Sequence, residues 1–83
     1  MLVQVLNTDV PHYLFLDLNK AECIVDAKEQ GHGELFFTAK KAFYLVKDGK
    51  ATRMISDNAL DFIFAHGHGN EPILTYFPDI ELA

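Results

Sequence analysis

Ten aromatic residues, seven Phe and three Tyr, are a heavy apolar load for a chain of only 83 residues. A chain this short builds a core of limited stability unless a disulfide, a metal or a partner supplements it. Its lone cysteine, Cys23, cannot close an internal disulfide, and a single thiol points to a reducing, cytoplasmic setting. The aromatic residues therefore either pack one dense core or are covered in part by another molecule. Apolar types at 49% and charged types at 23% match a soluble globular protein and exclude a disordered chain. No apolar run approaches the roughly 20 residues of a membrane span. Asp9 and Asp17 break the N-terminal apolar stretch and the first basic residue is Lys20, which argues against a secretory signal. Length allows one domain, residues 1–83.

Residues Leu2 to Leu6 alternate and predict a first strand, followed by the turn cluster Asn7 to Pro11. Tyr13 to Leu18 predicts a second strand, closing an antiparallel hairpin. Asn19 then fits a helix N-cap, with Glu22 three residues on and Leu18 and Cys23 placed as a hydrophobic staple. Ala21, Ile24, Val25 and Lys28 follow helical spacing, and Gly31 stands ready to stop the helix. Beyond Gly31-His32-Gly33, strands are expected at 35–38, 42–46 and 50–55. Asp48-Gly49 marks a hairpin. A two-residue turn would oppose Lys47 and Lys50, so a three-residue loop with a glycine bulge is the expected register. Ser56 or Asp57 caps a second helix that runs to His66 and stops at Gly67. The loop Asn70-Glu71-Pro72 leads to a last strand, Ile73 to Phe77, and residues 78–83 form a loosely held acidic tail. The expected fold is α+β, a mainly antiparallel sheet with two short helices in the order β-β-α-β-β-β-α-β. No internal repeat or linker interrupts it.

The net charge of −5 conceals a strong segregation. Residues 1–39 hold two lysines against six acidic residues, and residues 54–83 hold five acidic residues and no Lys or Arg. Between them, residues 40–53 carry Lys40, Lys41, Lys47, Lys50 and Arg53 against Asp48 alone. Interleaved with Phe43 and Tyr44, this basic hairpin has the mix that single-strand binders use, with Lys41, Lys47, Lys50 and Arg53 as the contact residues. An isoelectric point near 5.1 and the acidic remainder of the chain repel phosphate and weigh against that use.

Catalytic signatures are missing from the sequence. His66-Gly67-His68 and His32 are the only cluster of ligand types, and glycine neighbours suit a loop better than a metal frame. His66 near a helix C-terminus complements the helix dipole without further role. Ser56 is the only serine and reads as a cap. Cys23 near a helix N-terminus could hold a lowered thiol pKa, but a small buried staple residue explains it as well. Glu22/Asp26 and Asp57/Asp61 are four apart and fit solvated helix faces. Neither glycine pair has the spacing of a phosphate loop. The expectation is a non-enzyme with no cofactor and no metal.

The second predicted helix is apolar on two sides. At about 100° per residue, Leu60, Ile63 and Phe64 make one stripe while Phe62 falls almost opposite. An aromatic residue on the far side, flanked by Ala59, Ala65 and His66, predicts a surface covered by another chain. The leading expectation is a small protein-binding accessory or inhibitor that occupies a surface on a larger partner. It is an acidic one-domain chain of the kind phages encode against host machinery, by analogy of size and composition alone. The other readings are a self-associating subunit, such as a homodimer, and a nucleic-acid binder using the basic hairpin.

Overall fold

The structure, a computed structural model, describes residues 1–6, 14–67, 71–78 and 80. Six strands are formed: β1 (Leu2–Leu6), β2 (Phe15–Asp17), β3 (Glu22–Ala27), β4 (Gly33–Phe37), β5 (Phe43–Lys47) and β6 (Lys50–Met54). Two helices follow, α1 (Ser56–His66) and the short α2 (Glu71–Tyr76). All six strands join one sheet in the order β2-β1-β6-β5-β4-β3. Neighbours run antiparallel except β1 and β6, which pair parallel with Gln4 opposite Lys50 and Leu6 opposite Thr52.

The sheet is curled into a half-barrel, and chain geometry requires it. Laid flat, six strands would hold their outer edges about 24 Å apart. Those edges, β2 and β3, are joined by the link Leu18–Ala21, whose five Cα steps from Asp17 to Glu22 reach at most ~18 Å. The link is shorter still, because the Lys20 and Ala21 N–H groups both donate to the Asp17 carbonyl at 3.1 Å. The two edges must therefore approach each other.

Period-two alternation separates two cores. Val3, Val5, Leu16, Phe36, Val46 and Ala51 fill the concave side, where Leu14, Leu18 and Ala21 pack over them. On the convex side Val25, Leu35 and Phe43 meet Ala59 and Ile63 of α1 and Ile73 of α2. Much of the aromatic load gathers there. The Phe37 ring lies 4.9 Å from Phe43 and 5.0 Å from Tyr76, and Phe77 stacks on Phe43 at 5.0 Å.

This architecture corrects the expected α+β fold of a mainly antiparallel sheet with two short helices. The chain is a curled mixed sheet, and the expected order β-β-α-β-β-β-α-β fails in two places. The segment expected as the first helix is β3, followed by a 3-10 turn at Lys28–Gln30 that Gly31 closes at φ 80°. Asn19 is not a helix cap: its N–H donates to the Asp17 carboxylate at 3.0 Å, within the turn that ends β2. Val25 and Ala27 are buried on one face of β3, and a bulge between Cys23 and Val25 absorbs Ile24. The same apolar residues satisfy a helical and an interrupted strand pattern, and pairing along β4 favours the strand. The segment expected as the last strand, Ile73–Phe77, falls in and just after α2. Pro72 is tolerated in the first turn of a helix, and Ile73, Tyr76 and Phe77 then reach the convex core together.

The β5–β6 register also differs from expectation. Lys47 does oppose Lys50 across a two-residue turn, with Asp48 at φ 54° and Gly49 at φ 75°. Both lysines are exposed, so water screens their repulsion, and the Lys50 ammonium donates to the Gln4 amide oxygen at 3.4 Å. The β1–β2 hairpin is antiparallel as expected, while its turn cluster and Tyr13 lie outside the described residues. Of the expected loose tail, Ile80 packs on the convex core; Asp79 and residues 81–83 lie outside the described residues. No helix among the described residues is long and apolar enough to cross a membrane.

Candidate functional site

Helix α1 starts and ends where the sequence indicates but is rotated about its axis. Ala59 and Ile63 are 0% and 2% exposed, with Leu60 and Phe62 partly buried beside them. The core-facing residues are thus Ala59, Leu60, Phe62 and Ile63: Leu60 and Ile63 of the expected stripe pack on the core, whereas Phe64 does not and Ala59 and Phe62 do. A residue as small as Ala59 lets the helix axis approach the sheet closely, which turns Phe64 outward to 61% exposure. Of the residues proposed to face a partner, Ala59 lies inside the fold and Phe62 packs on the core with its ring 4.7 Å from His66. Ala65 is exposed. Ser56 begins the helix without a side-chain capping bond, and the Ala59 N–H donates to the Ile55 carbonyl at 3.0 Å.

His32 and His66, far apart in sequence, are brought together with their rings stacked at 4.2 Å. His68 lies outside the described residues. No group of three or more metal-ligating side chains occurs among the described residues. Cys23 is on a strand rather than at a helix N-terminus, and it is exposed. Partial burial first, then the carboxylates of Glu34 and Asp26, push its thiol pKa up, the opposite of an activated nucleophile. Its Sγ sits 3.8 Å from Glu34 Oε2. Glu22 and Asp26 are on β3 instead of a helix; Asp26 accepts the Lys28 N–H at 3.2 Å and faces its ammonium at 3.9 Å.

The four basic candidates separate into two pairs. Lys47 and Lys50 flank the β5–β6 turn at one end of the hairpin, on the convex side. Arg53 pairs across from Tyr44 near the other end, with its side chain on the concave side. Lys41 and Arg53 share a 330 Å³ cavity beside the start of α1. Lys41 adopts φ 61° in the β4–β5 turn, a left-handed conformation that costs an ordinary side chain about 1–2 kcal/mol.

A surface that the sequence did not single out lies on the convex side of β1 and β2. The helices cover the β3–β5 half of that side and leave Leu2 and Leu6 exposed, Leu2 at 64%, next to Phe15 at 55% exposure. Met1 extends the patch. Polar groups rim it: the Met1 amino group lies 3.9 Å from Asp17, and Gln4 holds Lys50. The signal was present as alternation in Leu2-Val3-Gln4-Val5-Leu6, where both sets of alternate residues contain large apolar side chains. No protein-family model, curated protein or solved structure matches this chain.

Proposed function

We propose that this protein is a non-enzymatic protein-binding module, an accessory or inhibitor that works by occupying a surface on a larger protein. The observation that carries the reading is the apolar convex face of β1 and β2, where Leu2 and Leu6 beside Met1 stay exposed past the ends of the helices. An apolar centre within a polar rim is the anatomy of a protein interface. Strands present it as a rigid platform, so binding orders few side chains. The partner-facing surface proposed for α1 narrows to its exposed side, around Phe64 and Ala65.

Site-specific photocrosslinking tests the reading. A crosslinking residue at Leu2 or Phe15 should capture one larger protein in host extract, and the same residue at Glu29 should not. Leu2→Glu and Phe15→Asp should keep the native fold and lose that capture. Crosslinks only to a second copy would instead make the chain a self-associating subunit. Capture that survives both substitutions would remove β1 and β2 from the interface.

A further inference from the structure

The geometry points to the open mouth of the half-barrel as a binding site for a phosphate monoester joined to a flat ring, the chemistry of a nucleoside monophosphate. A cavity of about 540 Å³ opens there, walled by β2 and its link on one side and the β4–β5 turn on the other. That volume suits a small organic ligand. Lys20 from the link, Lys40 from the turn and Arg53 from β6 all line it. They come from three separate stretches of chain: the β5–β6 pairing sets Arg53 beside the turn that carries Lys40, and the curling of the sheet brings Lys20 to the same opening.

Among the described residues little compensates their charge. Asp17 is the one acidic residue among the described residues that line the cavity, and its carboxylate is already engaged by the Asn19 N–H at 3.0 Å and the Met1 amino group at 3.9 Å. Among the described residues none of the three cationic heads has an ion pair or side-chain hydrogen bond. In a chain of net charge −5, with acidic residues available on both flanking segments, three cations and one engaged carboxylate at a single cavity form a local positive field. Such a field concentrates anions.

The remaining lining selects among anions. A phosphate monoester carries close to two negative charges and offers oxygens in the geometry an Arg fork meets bidentately. Tyr44, half-buried on the concave side beside Arg53, offers a ring face, and Leu14, Ala21 and Ala42 make the rest of the wall apolar. Stacking on an aromatic ring is available to any base. The turn that carries Lys40 is held by the Thr38 hydroxyl, which accepts the Ala42 N–H at 3.3 Å, and by the Lys41 N–H donating to the Thr38 carbonyl at 2.9 Å. A defined turn presents its lysine at a defined place. Phe15 borders both this cavity and the β1–β2 face proposed to bind protein. Lys20, Lys40 and Arg53 belong to the cavity and not to that face, so substitutions at Lys40 and Arg53 test this site without touching it.

Amide chemical-shift titration of the full chain with adenosine monophosphate tests it, using adenosine and inorganic phosphate as the two half-ligands. Saturable shifts should appear at Lys20, Thr38 to Ala42, Tyr44 and Arg53, weaken with added salt, and be smaller for either half-ligand alone. Lys40→Gln or Arg53→Gln should each weaken binding about tenfold, the effect of losing one charged hydrogen bond. Lys47→Gln, at the far end of the hairpin, should change nothing. All three positions are exposed, and the same spectra report whether each variant is folded; Lys20→Gln replaces any that is not. A 5′-phosphorylated tetranucleotide binding far more tightly than the free nucleotide would identify a strand end as the source of the phosphate. Equal binding of the unphosphorylated strand, no saturable shift at low salt, or affinity unchanged in the Lys40→Gln, Arg53→Gln double variant would overturn the site.

Discussion

His32 and His66 stack face to face, ring centroids 4.2 Å apart and planes 25° from parallel, joining the approach to β4 with the last turn of α1. Phe62 adds a third ring 4.7 Å from His66. Aromatic pairs of this kind contribute about 0.5–1.5 kcal/mol beyond area burial. In a double-mutant cycle, His32→Ala and His66→Ala should show a coupling in that range by urea denaturation. The His66 change should cost more, since it loses two ring contacts. Strictly additive effects would mean the stack holds nothing in place.

Lys41 at φ 61° is a side chain in a conformation that glycine adopts freely. Lys41→Gly should stabilise the fold by about 1 kcal/mol, the left-handed penalty less the entropy cost of glycine. Lys41→Ala should bring no such gain. The pair of variants separates backbone strain from removal of the charge, and a thermal midpoint raised equally by both would assign the effect to charge.

The raised thiol of Cys23 should make it slow toward iodoacetamide despite its exposure. At neutral pH its rate should fall below that of free cysteine, because the thiolate is the nucleophile. Glu34→Gln removes a neighbouring charge and should speed alkylation. A rate above that of free cysteine would contradict the electrostatic picture.

Burial first, and the Glu22 carboxylate second, push the Tyr76 phenol up to about 12. The folded state thus binds this proton more tightly than the unfolded chain, so its contribution is full below pH ~10 and is lost as pH rises toward 12. Absorbance titration should show one of the three tyrosines ionising late, and Tyr76→Phe should remove that late step. The variant should also lose less stability than the parent between pH 10 and 12. Three tyrosines titrating together near 10 would refute the shift.

Local signals were legible where neighbours in sequence decide the outcome. Alternation located β1, Asp48-Gly49 located the β5–β6 hairpin, and the stretch from Ser56 to Gly67 located α1. Residues 19–31 misled because Asn19, Glu22 and Gly31 imitate helix ends, while the deciding contacts of Val25 and Ala27 are with Leu35 and Gly33 across the sheet. The rotation of α1 was equally hidden, since a helix apolar on two sides offers two stripes and only packing on β3 chooses Ala59 and Ile63. The meeting of His32 with His66 depends on α1 packing across β3, and that of Lys20 with Lys40 and Arg53 on the curling of the sheet. Spacing along the chain carries no trace of it.

The parallel pairing of β1 with β6 fixes an order of events in folding. β6 can zip to β5 through a two-residue turn, and β5 to β4 through another short one. Gln4 of β1 meets Lys50 only across a separation of 46 positions along the chain. Loop-closure entropy makes such a contact late. On the ribosome the β1–β2 hairpin emerges before β6 and waits for it with both rows of apolar side chains uncovered. β1 leaves the ribosome before the strand it pairs with in parallel, and its apolar rows stay open to misassociation until β6 arrives.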